Sequence, residues 1–133
     1  MTPPHALLSD LAAALCGSQA LDKRIALVLG WEELPDEHSP HSGVWILPDA
    51  NISLSLVPPW STSTDAALTL VPDGMWYLIG KGRTRPGEPL YGAQVLLPDR
   101  TGLVSDVVAD GWGHVQATAV VIAALRARGG ADD

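Results

Sequence analysis

Five consecutive residues near the end of the chain combine the side chains and the backbone freedom that a small-molecule site needs: Asp110, Gly111, Trp112, Gly113 and His114. The two glycines let the backbone approach a ligand, and the amino end of the helix predicted to follow offers unpaired N–H groups to an anion. Trp112 adds a flat face for stacking, and His114 in a first helical turn could donate a hydrogen bond as a neutral imidazole. The segment predicts a site for a flat, anionic, nucleotide-like ligand. The alternative is that the glycines form the strand-to-helix turn and Trp112 packs over the core.

A cationic loop is the second feature that favours an anionic ligand. Residues 80–87 contain Lys81, Arg83 and Arg85, and the whole chain has only 8 lysines and arginines. Arginine presents a fork of donors that matches a phosphate, so both arginines could bind one if the loop folds back toward Trp112. The loop lacks the spacing of a phosphate-binding loop and precedes a strand, which excludes a nucleoside triphosphatase. The alternative is that these charges only protect a sheet edge.

Trp60 is the tryptophan that we expect to be partly exposed. The chain has 5 tryptophans and no phenylalanine, so indoles should fill most of the core. Trp60 follows two prolines and precedes four hydroxyl side chains, a context that suits the wall of a pocket or a subunit interface. The predicted ligand-binding residues are therefore Gly111, Trp112, Gly113, His114, Arg83, Arg85 and Trp60.

The remaining polar residues do not assemble into a metal site or a catalytic site. His38 and His41 lie in the polar, proline-broken stretch from Glu32 to Gly43, which we expect to be a surface loop. Such a loop offers neither helical spacing nor a cysteine partner to hold a metal ion. No nucleophile–base pair and no carboxylate pair can be recognised. We therefore expect no metal, no cofactor and no enzymatic activity.

The composition favours a single soluble domain spanning residues 1–133, with disordered ends at residues 1–4 and 129–133. The 15 acidic residues outnumber the 8 basic ones, and the resulting net charge of −7 repels nucleic acid. Cys16 has no partner for a disulfide, which suits a reducing cytoplasm. No stretch is apolar for long enough to cross a membrane, and the start of the chain lacks the pattern of a signal peptide. We expect a cytoplasmic protein that binds neither nucleic acid nor membranes, and a homo-oligomer is compatible with the sequence.

The order of local signals predicts an α+β fold. Apolar residues at helical spacing, together with capping residues and breakers, predict four helices, which run from His5 to Cys16, from Ser18 to Gly30, from Ser63 to the residues before Pro72, and from His114 to Arg128. Apolar runs bounded by turn residues predict five strands, at Val44 to Leu47, Ile52 to Leu56, Met75 to Gly80, Tyr91 to Leu97 and Leu103 to Ala109.

Two local expectations follow from these elements. In the second helix, Asp22 should lie on the exposed side, and Thr62 with Asp65 has the spacing of a capping box for the third. The strand at Met75 presents apolar side chains on both faces. We therefore expect a mostly antiparallel sheet sandwiched between helices, in the order α-α-β-β-α-β-β-β-α.

Three blocks of sequence resemble a known family. The segment from Ser63 to Trp76 reads S-x-D-A-A-L-x-L-V-P-x-G-x-W and follows a proline and a tryptophan. Together with the helical block from Leu21 to Trp31 and the alanine-rich block from Ala117 to Arg128, it is similar to the phage ABA sandwich domain family. The stretch from Gly80 to Gly113 departs from the family pattern. The resemblance implies a small phage or prophage protein of mixed α and β structure, and it implies no activity.

Taken together, these signals predict a phage-encoded, non-catalytic accessory protein. We expect it to bind a small host molecule and withdraw it from the host, with a nucleotide-derived immune signal as the candidate. The alternative is a phage or prophage protein that binds another protein, or assembles with itself, through an apolar edge or an exposed tryptophan.

Overall fold

The fold contains four helices and six strands within the part of the chain that the structure describes. The structure is a computed structural model, and it describes residues 4–36, 39–47, 50, 52–54, 56–82, 90–98 and 104–129. The elements in chain order are α1 (His5–Ala13), α2 (Gln19–Val28), β1 (Glu32–Asp36), β2 (Ser39–Leu47), β3 (Ile52–Leu54), α3 (Thr64–Leu68), β4 (Trp76–Gly82), β5 (Leu90–Pro98), β6 (Val104–Gly113) and α4 (Gln116–Gly129). The predicted α+β class and the predicted order of elements are confirmed, with β1 as an additional strand.

Helix α2 begins and ends where its local sequence predicts. The Ser18 hydroxyl accepts a hydrogen bond from the main-chain N–H of Leu21, which satisfies one of the donors left free at a helix start. At the other end, Gly30 has a φ of 94°, and the N–H of Trp31 donates to the carbonyl of Ala26. This left-handed glycine closes the helix because a residue without a Cβ adopts that conformation at no steric cost.

Two expectations about the first helices were wrong. Helix α1 ends at Ala13, because Ala14 is already extended, and Leu15 beyond it is highly exposed. In α2, Asp22 is buried rather than exposed, and its carboxylate accepts a hydrogen bond of 2.7 Å from the main-chain N–H of Ser61. A carboxylate is tolerated there because a distant segment supplies its partner.

The first sheet contains a strand where the sequence predicted a loop. Strand β1 pairs antiparallel with β2, with Glu33 opposite Trp45 and Leu34 opposite Val44, and β2 pairs with β3. Main-chain hydrogen bonds do not depend on the side chain, so a polar segment can form an edge strand once a neighbour offers its backbone. The expectation of a loop from Glu32 to Gly43 was therefore wrong where the structure describes that stretch.

The second sheet is the predicted antiparallel meander, and α4 covers its inner face. The strands lie in the order β4-β5-β6, and β6 continues to Gly113, four residues beyond the predicted end. Helix α4 packs against β6, β5, α3 and α1, and almost all of its side chains are buried. Because it is enclosed, α4 needs small apolar residues on every side, which explains its alanine-rich sequence.

The outer face of the second sheet is open at strand β4, contrary to the expectation that both faces are covered. Trp76, Tyr77 and Leu78 are each about half exposed although they alternate between the two faces. On the inner face Tyr77 is exposed because α4 packs against β5 and β6, and on the outer face Trp76 and Leu78 share the exposed side of the sheet with Trp112. The sheet therefore presents apolar side chains on its first strand.

The remaining expectations concern the chain ends and membranes. Gly129 is the last residue of α4 and is buried, whereas residues 1–3 and 130–133 lie outside the described residues. Within the described part of the chain, no helix has both the length and the apolar character that crossing a membrane requires.

Candidate functional site

Trp112 lies on a strand and not at a helix start. It is the penultimate residue of β6, and α4 begins only at Gln116, so Gly111 and Gly113 belong to the sheet. The predicted anion site, in which these residues precede the free N–H groups of a helix, is therefore not formed. The indole itself is 50% exposed, so it is available to a ligand.

The two glycines that flank Trp112 face helix α4. A Cβ added to Gly111 would lie 2.4 Å from the carbonyl oxygen of Ala119, and one added to Gly113 would lie 2.8 Å from the hydroxyl of Thr118. Both residues are buried. They are glycines because strand and helix approach too closely for a side chain, so they support the site from behind rather than touch a ligand.

Trp112 and two further glycines form one row across the outer face of the sheet. Gly80 on β4 lies opposite Gly92 on β5, and Gly92 lies opposite Trp112 on β6. The Trp112 ring lies over Gly92, where an added Cβ would be only 2.7 Å from the ring. Gly80 is uncovered by the described residues, since apart from its chain neighbours none of their atoms would lie within 4 Å of an added Cβ there. The row thus places the Trp112 ring above Gly92 and beside the main chain of Gly80, which has no side chain.

A groove of about 340 Å³ lies along this row. Leu78 and Gln94 share the face of Trp112 and contribute side chains to it, while Ile79, Lys81 and Ala93, which alternate toward the other face, also line it. This volume falls at the small end of the range for ligand pockets, about 300–1,000 Å³, and the lining is mostly apolar with a few polar groups, as is usual for such pockets. The groove can therefore hold a flat molecule of modest size.

The polar groups at the groove can recognise a ligand that carries a negative charge. Gln94 supplies an exposed amide that can donate or accept, and Lys81, which is exposed next to Gly80 but alternates toward the other face, adds a positive charge nearby. Asp110 lies opposite Gln94 on the next strand, but its carboxylate is 3.7 Å from a guanidinium nitrogen of Arg126. That ion pair is exposed and therefore weak, yet it partly offsets the negative charge nearest to the groove.

The other predicted ligand residues are distributed elsewhere. Arg83 and Arg85 lie outside the described residues. His114 follows β6 and is partly buried, two residues before α4 begins. Since it does not line the groove, it is not among the residues that the structure gathers around Trp112.

Trp60 belongs to a second cavity and not to the groove of Trp112. It is only 3% exposed, so the expectation of partial exposure was wrong, and its ring packs edge-on against Trp31 at 6.2 Å between centroids. Both rings line a cavity of about 340 Å³ whose wall also includes Leu29, Leu47, Pro58 and Leu70. Arg128 reaches this cavity and donates a hydrogen bond of 2.6 Å from its Nε to the carbonyl of Leu70. Trp60 and Trp112 therefore cannot contact the same small ligand.

The described residues contain no group of three His, Cys, Asp or Glu side chains placed to hold a metal ion. Of the two histidines considered above, His38 lies outside the described residues and the side chain of His41 is not described.

Several residues that line the groove were not predicted from the sequence as ligand contacts: Leu78, Ile79, Gly92, Ala93 and Gln94, while Gly80 was considered only as the start of the cationic loop. A usable signal existed, since Gly80 and Gly92 are glycines inside predicted strands, and an interior glycine often marks close approach of a ligand or another side chain. The cross-strand register that aligns them with Trp112 could not be obtained from the sequence, because Pro86 and Gly87 indicate a turn between β4 and β5 but do not specify which residues of the two strands pair.

Comparison with protein-family models, with curated proteins and with solved structures finds no match.

Proposed function

We propose that the protein is a non-catalytic binding protein that holds a flat, anionic ligand on the outer face of its second sheet. The observation that carries this proposal is the half-exposed Trp112 ring beside the uncovered backbone of Gly80 and above Gly92. The resemblance to phage ABA sandwich proteins extends the proposal to a phage-encoded protein that acts in the host cytoplasm.

Each part of the groove has a role in this proposal. The exposed part of the Trp112 ring stacks on the ligand, and Gly80 lets the ligand approach the main chain because it has no side chain to obstruct it. Gln94 hydrogen-bonds to the edge of the ligand's ring, and the positive charge of Lys81, next to Gly80 at the end of β4, attracts an anionic ligand to the groove. A nucleotide-derived molecule has these features.

Sequestration is the physiological role that we propose for such a site. A protein that withdraws a signal needs only to bind it tightly, and a preformed groove loses little ordering entropy on binding. The rigid backing of the groove supports this role, because Gly111 is held directly against α4.

Native mass spectrometry of the protein purified from its host cells tests the proposal. We expect a bound small molecule that heat extraction releases intact. Trp112→Ala should weaken retention between about fivefold and 150-fold, because stacking of a base on an aromatic ring contributes about 1–3 kcal/mol.

Val107→Ala is the matched control for this experiment. Val107 lies on the same sheet and is 52% exposed, but it does not line the groove. Equal ligand retention by the two variants would place the site elsewhere, and release of a chemically altered ligand would indicate an enzyme.

A second candidate function is contact with another protein through strand β4. The observation that favours it is the exposure of three consecutive large apolar residues, Trp76, Tyr77 and Leu78. Exposed apolar residues grouped in this way commonly mark interaction surfaces. A stable complex without a bound small molecule would favour this candidate over sequestration.

A further inference from the structure

We infer that β4 is a self-association edge, at which a second copy of this chain adds its own β4 antiparallel to the first. Within the described residues, β4 pairs with β5 alone, so its other edge has main-chain donors and acceptors available for a further strand. The inference does not depend on ligand binding, because it rests on the edge of the sheet.

Symmetry restricts how two β4 strands can pair. A two-fold axis perpendicular to the sheet keeps each face on its own side, and residues directly opposite in an antiparallel pair share a face. One residue of β4 must therefore lie directly opposite the same residue of the second copy. In any register where no residue lies opposite itself, inner-face residues would lie opposite outer-face ones, which the symmetry forbids.

Leu78 is the residue that we place on the axis. Trp76 of the second copy then lies opposite Gly80, Tyr77 lies opposite Ile79, and the two Leu78 side chains meet. This register repeats within the dimer the tryptophan–glycine pair that Trp112 and Gly92 already form within one chain.

The open space over Gly80 indicates that the added strand is β4 of a second copy. Gly92 is covered by an indole of its own chain, whereas a Cβ added at Gly80 would meet none of the other described residues within 4 Å, its chain neighbours aside. Trp76 of the second copy covers Gly80 in the same manner, and the row across the joined sheet becomes Trp76, Gly80, Gly92 and Trp112. An aromatic side chain over a glycine on the neighbouring strand offsets the packing that the glycine lacks.

Charge is complementary at this edge although the whole chain is acidic. Strand β4 contains no acidic residue, and its charged residue, Lys81, lies near its carboxyl end. Asp73 is exposed and lies just before its amino end. Antiparallel pairing brings opposite ends together, so each Lys81 lies near Asp73 of the other copy and attraction replaces repulsion.

The size of the contact sets its expected strength. It consists of one strand pairing and a few half-exposed side chains on each copy, so it falls below the roughly 800 Å² per partner of a standard stable interface. We therefore expect a dimer with a dissociation constant between about 1 µM and 1 mM.

The dimer and the groove are linked through Gly80. Because Trp76 of the second copy lies over Gly80, it enters the groove from its β4 side, so a ligand in the groove and the second copy exclude each other. Linkage then requires that ligand shifts the protein toward monomer.

Sedimentation equilibrium across about 1 µM to 1 mM protein tests the inference, since this range brackets the affinity expected of a small interface. The unmodified chain should change from monomer to dimer. Leu78→Ala should weaken the dimer at least about tenfold, whereas Leu15→Ala should not, since Leu15 is 81% exposed but lies outside β4.

Gly80→Val provides the sharper test, because it adds a side chain where the monomer has open space. A β-branched residue suits a strand, so the monomer should fold normally by circular dichroism, while the added methyl groups obstruct Trp76 of the second copy. We expect loss of dimer in Gly80→Val and in Trp76→Ala alike.

A chain that stays monomeric at the highest concentration overturns the inference. So does a dimer that survives both Gly80→Val and Trp76→Ala, because it must then use another surface. Neither result bears on ligand retention at Trp112, which the mass spectrometry measures separately.

Discussion

The main-chain N–H of Ser61 donates a 2.7 Å hydrogen bond to the carboxylate of Asp22, and both residues are buried. The Ser61 hydroxyl donates to the carbonyl of Ser18 and accepts from the N–H of the same residue, each at 2.9 Å. These three bonds attach the segment after Pro59 to the start of α2. They hold the first helical pair against the segment that leads into α3.

Removing the Asp22 carboxylate should therefore destabilise the fold. Asp22→Ala leaves the buried N–H of Ser61 without an acceptor, at an expected cost of about 1–3 kcal/mol in the free energy of unfolding. Urea unfolding monitored by tryptophan fluorescence measures this loss. Asp22→Asn keeps an oxygen acceptor, so it should lose less, and equal losses in the two variants would contradict the assigned role of the hydrogen bond.

A side chain at Gly17 should also disturb this attachment. A Cβ at this position would lie 2.1 Å from the carbonyl oxygen of Ser61, and a main-chain atom cannot move aside without shifting the segment. We expect Gly17→Ala to lower the free energy of unfolding by about 1–3 kcal/mol, as overpacking usually does. Gly80→Ala is the control, because the space around Gly80 is open, and its unfolding midpoint at low protein concentration should match that of the parent.

Gly92→Ala should change the groove with little effect on stability. The added Cβ would lie 2.7 Å from the far end of the Trp112 ring, which can rotate away at small cost. We expect a change in unfolding free energy below about 1 kcal/mol. Ligand retention in native mass spectra should fall as it does for Trp112→Ala. Unchanged retention would show that the ring position over Gly92 does not matter for binding.

We expect Ser63 to be the residue whose side chain caps the amino end of α3. Its hydroxyl accepts from the N–H of Ala66, so Ser63→Ala should cost about 1 kcal/mol in thermal or urea unfolding. The capping box predicted from Thr62 and Asp65 was wrong, since Thr62 precedes the cap residue and its hydroxyl makes only a 3.5 Å contact with the carbonyl of Pro59. Thr62→Ala should be nearly neutral, and a larger loss there than in Ser63→Ala would reverse the assignment.

Local sequence accounts for most of the elements. Ser18, Gly30 and Ser63 act within a few residues of their own positions, so the starts and ends that they set could be predicted without the rest of the chain. The meander of β4, β5 and β6 could be predicted for the same reason, since alternation and turn residues are local. Strand β1 was missed because its polar side chains give no such pattern, and it depends on β2 for its hydrogen bonds.

The candidate site was predicted only in part. Trp112 could be singled out by its residue type and glycine neighbours, and the structure exposes it as the prediction required. Gly111, Gly113 and His114 were chosen by nearness in sequence, and Arg83, Arg85 and Trp60 by residue type. Gly80, Gly92 and Gln94 instead reach Trp112 through strand register. Trp60 was separated from it because the two indoles pack on different layers of the fold.

By itself, the sequence determined the class of the fold, the capped helix starts and the order of the elements, because these depend on interactions between residues close along the chain. Only the tertiary structure decided that Asp22 is buried, that Gly111 faces a helix and that Trp112 faces outward. Each of these depends on which surface a distant segment covers. A residue's own type cannot specify that, because burial is a property of the packed layers and not of the residue.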